Sequence, residues 1–400
     1  MSRKSSFGYS SYGTHSYKSG SYRGKKNKDN KRKKVITTMI IAAAVIIVAA
    51  AVLLIIFVFG SSSESQKKGT DTSKNVQSSQ VQSSTEAKES SAESSADPNK
   101  KGYWDSNVFI YDKQGYELFY GRTDTALKYA EAVSSVKKSL GKEVNVYNMV
   151  VPTHSVFGMP SNYLKDSSNE KENIQKIYSS YTEDVKPIDV YDVLDTHKSE
   201  YIYFKTDNNW TALGAYYGYE KYCEAAGIQP IEIKSLSTGS IENFGGALLA
   251  ATVSDEQPDG NEELAKNLDT VLYYNIPGEY DCRLLENGAS EEKEATIIAS
   301  FAAESNAYSA FIWGDNPYMK ITSNKTTGKK LCIIKDSYGC AFAPFTVSNY
   351  DEVFIVDPQF YDGNILDYLK KNNYTDVLII NSIMNANTSM RTDWLYSILK

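Results

Sequence analysis

The hydrophobic and polar positions of this chain change pattern twice before a foldable region begins. Residues 1–24 have almost no aliphatic residue, residues 35–59 are an unbroken uncharged run, and residues 60–100 return to Ser, Gln, Glu and Lys. From Gly102 the pattern is that of a folded domain. Asn107 to Tyr120 alternates around Asp112-Lys113-Gln114-Gly115, which predicts a hairpin with Gly115 supplying the positive φ. Leu127, Ala130, Val133, Val136 and Leu140 make one helical stripe, with Thr123 or Asp124 as cap and Gly141 as stop. Val144 to Val151 is a β-branched run ended by Pro152. A helix is expected over 168–183, and a short strand with a turn from Val185 to Leu194.

Tyr201 and Tyr203 alternate as a strand would, and Thr211 caps a helix bearing Leu213, Tyr216, Tyr217, Tyr219 and Tyr222 that stops at Gly227. Beyond it, Thr270 to Tyr274 reads as a strand, Asn287 to Glu294 as a polar insertion and Gly314 to Pro317 as a turn. Leu331 to Ile334 is an apolar strand entering Lys335-Asp336-Ser337 and a small-residue helix at Gly339 to Ala343. Val353 to Val356, a helix near Ile365 to Lys371, and Val377 to Ile380 continue the alternation of strand and helix. Apolar runs without alternation predict strands buried on both faces. The expected class is α/β, flavodoxin-like, with a mostly parallel sheet and helices on both faces.

The first hundred residues bear on placement rather than fold. Residues 25–34 hold seven basic residues and one Asp, and residues 35–59 exceed the ~20 apolar residues that cross a bilayer. A signal peptide has a shorter apolar core of roughly 7–15 residues. The pattern predicts a disordered cytoplasmic tail (1–34), a single retained transmembrane anchor (35–59), a flexible linker (60–100) and an extracytoplasmic domain (101–400) at the cell membrane.

Eleven of the 43 Lys and Arg and one of the 49 Asp and Glu fall in residues 1–34, which leaves 32 against 48, a balance near −16. That balance disfavours nucleic acid as a partner. Four cysteines (Cys223, Cys282, Cys332, Cys340) are too few for a disulfide framework, and with no Cys-x-x-Cys and no His cluster neither a metal site nor a cofactor is expected.

Two stretches carry candidate chemistry. Asp207-Asn208-Asn209-Trp210 lies between the Tyr201 segment and its helix, and Lys335-Asp336-Ser337 lies at a strand-to-helix turn. Such a turn can present a hydroxyl at the sheet's carboxyl edge with helix N–H groups nearby, as a nucleophile and oxyanion site require. His154 follows the Val144 strand at the same edge and is a candidate substitute base, although a lone His there is more often structural.

The segment TDNNWTALGAYYGYEKY resembles the signature of the DHHW family, in which Asp-His-His-Trp is followed by Thr and a GAYYAY-like helix. That family is similar in turn to the SGNH-hydrolase-like domains of alginate O-acetylation proteins. The resemblance implies that Ser337 is the nucleophile, Asp207 the orienting acid and Asn209 the occupant of the position of the base, the second His. It implies acyl transfer to or from a sugar hydroxyl, with Thr206, Asn208, Trp210, Tyr338, Asn316 and Gln359 on the binding surface. Asn243 to Gly246 resembles a family loop, and Asp357-Pro358-Gln359 stands where relatives commonly have Asp-x-Arg.

An amide has no nitrogen that titrates near neutral pH, so Asn209 cannot take the serine's proton. The expectation is a catalytically impaired member that binds a cell-surface glycan or supports its O-acetylation, for instance beside a membrane-bound O-acyltransferase. The alternative is an active O-acyltransferase or esterase using Ser337 with His154 or Lys335 as base. A third reading has the Tyr-rich helices serving only to pack.

Overall fold

The uninterrupted apolar runs collect in one eight-stranded sheet. The computed structural model describes residues 100–399, so the expected tail, membrane span and nearly all of the linker lie outside the described residues. Among the described residues no helix is long and apolar enough to cross a membrane.

Strands β1 (Tyr103–Asp105), β2 (Val108–Tyr111) and β3 (Gln114–Tyr116) form a small antiparallel sheet. The central sheet contains β4 (Asn145–Val151), β5 (Val185–Ile188), β8 (Tyr280–Leu285), β9 (Lys293–Glu294), β10 (Tyr318–Ser323), β11 (Lys330–Lys335), β12 (Glu352–Val356) and β13 (Asp376–Ser382). Strands β6 (Ser237–Phe244) and β7 (Asp269–Asn275) pair separately.

The central order is β5-β4-β13-β11-β12-β10-β8-β9. Pairings from β5 to β12 are parallel and those from β12 to β9 antiparallel, so the sheet is mixed where a mostly parallel one was expected. Burial explains the difference. In β11 only Lys330 is not buried, whereas β8 and β10 bury Cys282, Leu284, Met319 and Ile321 on one face and leave the intervening residues partly exposed. One-sided strands of that kind suit antiparallel edges.

On β11, Leu331 and Ile333 enter one core with Tyr216, Tyr219 and Tyr222 of the helix Ala212–Ala226 and Phe342 and Phe345 of the helix Tyr338–Thr346. Cys332 and Ile334 enter the other, against the helices Thr123–Leu140, Ile365–Lys371 and Ser389–Ser397. Helices thus cover both faces. The carboxyl ends of β4, β11, β12 and β13 lie along one edge of the sheet, the edge where α/β sheets bind ligands.

Several local expectations change. Positive φ in the first hairpin belongs to Asp112 (49°) and Lys113 (63°), while Gly115 is inside β3, where a Cβ would meet Val108 and Leu248 at 3.1 Å. Leu127 is exposed, because the buried face of its helix runs through Ala126, Tyr129, Ala130, Val133 and Val136. That helix is preceded by Arg122 rather than capped by Thr123 or Asp124, and the helix expected over 168–183 is confined to Glu170–Tyr178, capped by Asn169. Tyr201–Tyr203 joins no strand. The segment folds back on itself through a Tyr203–Trp210 bridge, with Thr211 N–H donating to the Ile202 carbonyl (2.9 Å).

Candidate active site

The fold-back of residues 201–211 carries the motif to the carboxyl end of β11. Thr211 caps the following helix, its Oγ1 accepting from Gly214 N–H, and Gly227 ends it in the left-handed conformation at φ 64°. The loop is held from below by Asp269 of β7, whose carboxylate accepts from Lys205 N–H (2.9 Å), Thr206 N–H (2.7 Å), the Thr206 hydroxyl and the Tyr201 hydroxyl. Thr206 is buried, and its hydroxyl in turn accepts from Gly246 N–H (3.1 Å).

Above that support lies a linear relay. The Ser337 hydroxyl donates to Asn209 Oδ1 at 2.9 Å, and Asn209 Nδ2 donates to Asp207 Oδ1 at 2.7 Å. A carboxylate only accepts, so the amide nitrogen must face Asp207 and the amide oxygen Ser337. The other Asp207 oxygen accepts from Ala247 N–H (2.8 Å). Gly246 permits this approach, since a Cβ there would lie 2.3 Å from the Asp207 Cβ. Burial pushes the Asp207 carboxyl up from its usual range, opposed by the Ala247 and Asn209 donors.

Ser337 precedes its helix without capping it, so its hydroxyl is left for Asn209. Asp336 shapes the turn: its carboxylate accepts from Tyr338 N–H (3.1 Å), Ser382 N–H (2.8 Å) and Asn385 Nδ2 (2.8 Å). Gly339 N–H donates to the Asp336 carbonyl (3.0 Å). The first two helix N–H groups are therefore engaged at Asp336 rather than at the Ser337 hydroxyl. Lys335 is buried between Asp315 (2.6 Å) and Asp357 (3.7 Å), and Arg391 meets Asp357 at 3.3 Å. Burial lowers the proton affinity of Lys335, but the surrounding Cys340, Asp315 and Asp357 raise it further, so the ammonium stays charged and cannot accept a proton.

The structure brings Ser337, Asp207, Asn209, Asn208 and Tyr338 together: the Tyr338 hydroxyl donates to the Asn208 carbonyl. Ser337 and Asn208 are the partly exposed members. Trp210 is fully buried, its indole N–H donating to the Tyr338 carbonyl (2.9 Å) and its ring filling space above Gly218, so it offers no stacking face to a ligand.

His154 is held between Tyr203, stacked at 5.2 Å, and Tyr116 at 4.8 Å, with no hydrogen bond to Ser337. Burial pulls its imidazole down to about 4. Asn316 braces a loop by donating to the Trp313 carbonyl (2.8 Å) and accepting from Asn287 N–H (3.2 Å). Gln359 lines a separate cavity of about 440 Å³ with Pro317, Pro358 and Tyr361.

Two carboxylates were not singled out from the sequence. Glu117, just past β3, lies against the Asn208 side chain; burial, with Asp207 nearby, raises its carboxyl. Glu170 accepts from Thr153 N–H (2.8 Å) and the Thr153 hydroxyl (2.6 Å), and burial pushes it up to about 7. Among the described residues no group of three or more His, Cys, Asp or Glu side chains is placed to hold a metal.

A model of the DHHW protein family matches residues 59–356. The chain belongs to the DHHW family. A DHHW family protein from Eubacterium siraeum DSM 15702 is 30% identical, over 75% of this chain and 98% of its own, at a TM-score of 0.68. PatB1 of Bacillus cereus, in a structure with a sulfonyl adduct, is 18% identical over 71% of this chain and 98% of its own, at 0.59, which shows a shared fold. The O-acetyltransferase domain of Pseudomonas putida AlgJ is 11% identical over 75% of this chain and 99% of its own, at 0.42. No curated protein matches this DHHW chain. Residues 207–210 of this chain read Asp-Asn-Asn-Trp.

Proposed function

We propose that this DHHW protein keeps the shape of an acyl-transfer site without its general base, and works by binding a cell-envelope glycan and supporting its O-acetylation. The observation that carries the reading is the Ser337–Asn209–Asp207 relay, in which an amide fills the place of an imidazole. Removing the base of a Ser triad lowers the rate by roughly 10⁴–10⁶. The Ser337 hydroxyl and the Asn208 amide, both partly exposed, remain good partners for sugar hydroxyls. The basic and apolar runs before residue 60 support a single-pass anchor with the domain outside the cell.

The test is titration of the full-length chain in detergent with O-acetylated and de-O-acetylated envelope polysaccharide, beside Asn208→Ala. Saturable binding weakened by Asn208→Ala is expected; absence of binding to either polysaccharide contradicts the reading.

A second reading keeps Ser337 as an active nucleophile. Glu117 favours it, because it is a carboxyl beside Asn208 that burial and the nearby Asp207 raise. Ser337-dependent release of acetate that is lost in Glu117→Gln would establish it.

A further inference from the structure

With the motif indole inside the fold, the aromatic surface for a sugar must come from elsewhere. Residues 297–315 form a strap closed at the Ile298–Phe311 bridge, with Ala307, Tyr308 and Ala310 buried in the core and residues 303–306 exposed. Its stem is closed by Ala299 N–H to the Ala310 carbonyl (2.8 Å) and Ile312 N–H to the Ile297 carbonyl (3.0 Å). Two contacts fasten the strap to the Ser337 turn. The Tyr308 hydroxyl donates to the Ser337 carbonyl (2.9 Å), and Asp315 pairs with Lys335, two residues before Ser337.

On this strap Phe301 is 67% exposed, more than any other large apolar side chain among the described residues. Trp313 stands 5.0 Å from it with the rings at 70°, so the two form a corner rather than a flat patch. The indole is fixed by its N–H to the Thr296 carbonyl (2.9 Å), and Lys293 places its ammonium 4.2 Å from the ring. Ile312, Trp313 and Gly314 all have positive φ (47°, 66°, 78°), which is costly for a β-branched residue and persists only where the surroundings impose it. Asn316, donating to the Trp313 carbonyl, is one such restraint.

We infer that Phe301 and Trp313 form an aromatic corner that seats a pyranose ring of the glycan held at Ser337. The C–H faces of a pyranose pack on aromatic rings, and the Lys293 ammonium, paired with Glu286 at 2.7 Å, keeps donors for a sugar hydroxyl. A protein partner suits the corner less well. Standard interfaces bury about 800 Å² on each side, whereas Phe301 is followed closely by the exposed Glu304, Ser305 and Asn306. The Tyr308 and Asp315 contacts tie the strap that carries the corner to the Ser337 turn. This inference rests on the glycan reading above.

The experiment titrates the full-length chain in detergent with two probes, a β-1,4-linked N-acetylglucosamine tetramer and a tetragalacturonate, following tryptophan fluorescence and calorimetric heat. Phe301→Ala removes an exposed ring and leaves the core intact; Phe301→Tyr restores it; Trp104→Ala removes an exposed aromatic elsewhere. At least one probe is expected to bind, with affinity reduced about tenfold or more by Phe301→Ala, recovered by Phe301→Tyr and unchanged in Trp104→Ala. A preference for the acidic probe assigns Lys293 to a carboxylate, and equal binding assigns it to hydroxyls.

Binding unaffected by Phe301→Ala overturns the corner and leaves the glycan reading standing. Binding of neither probe overturns the corner; the glycan reading falls with it only if the envelope polysaccharides also fail to bind. A dimer in sedimentation velocity that Phe301→Ala dissociates overturns it in favour of self-association.

Discussion

The Ser337 hydroxyl donates to the side-chain oxygen of Asn209 over 2.9 Å, in the position where a catalytic serine would meet its histidine. The bond fixes the hydroxyl without activating it, because the acceptor cannot carry the proton away. Asp207 still orients the residue between them, as it would orient an imidazole.

Close approach of backbone to carboxylate is the first consequence open to test. Gly246→Ala places a methyl 2.3 Å from the Asp207 Cβ and 2.6 Å from its Oδ2, so either the 243–247 loop or Asp207 must move. We predict a loss of about 1–3 kcal/mol in urea unfolding, the range for overpacking a filled site. The Ser337–Asn209 bond should lengthen in a crystal structure of that variant.

The buried cation under the Ser337 turn gives a second prediction. Lys335→Met leaves Asp315 and Asp357 without the ammonium at 2.6 and 3.7 Å, although Arg391 still meets Asp357. Breaking a buried pair from one side costs about 3–5 kcal/mol. Adding Asp315→Asn to Lys335→Met should recover part of the loss in the same unfolding measurement, since the stranded charge is removed.

Glu170 predicts a pH dependence with a definite sign. Its carboxyl rises from an ordinary 4.5 to about 7 on folding, through burial that outweighs the Thr153 donors, with Glu117 adding to it. The stabilisation is fully present below pH 4.5, where the unfolded chain is also protonated, and is lost as pH rises through about 7. The change is on the order of 3 kcal/mol. Stability of Glu170→Gln relative to the parent should therefore increase from pH 5 to pH 8, measured by urea unfolding at each pH.

Much of the sheet was legible because its strands are buried on both faces: Leu331 to Ile334 and Val377 to Ile380 are apolar at every position and became adjacent parallel strands. The helix from Thr211 to Gly227 was legible from its cap and its stop. The alternation of Tyr201 and Tyr203 misled, because the two rings have separate partners, Asp269 and the Pro152 carbonyl, rather than a neighbouring strand. Glu117 and Glu170 left no signal at all. Each carboxylate is defined by contacts with residues distant in sequence, Asn208 and Thr153, which no local pattern encodes. Trp210 looked like a ligand platform because the motif is polar around it, but its ring is a core residue beside Gly218.

Ser337, Asn209 and Asp207 are arranged as a Ser–His–Asp triad would be, with an amide in place of the base. The decisive measurement is acetate release from an activated acetyl ester by the full-length chain, Ser337→Ala, Asn209→His, and Asn209→His with Ser337→Ala. No Ser337-dependent turnover is expected in the parent. Asn209→His should gain about 10²–10⁴-fold, the usual contribution of a positioned base, and Ser337→Ala should abolish that gain. Turnover by the parent that Ser337→Ala removes, with no gain on Asn209→His, would contradict this reading.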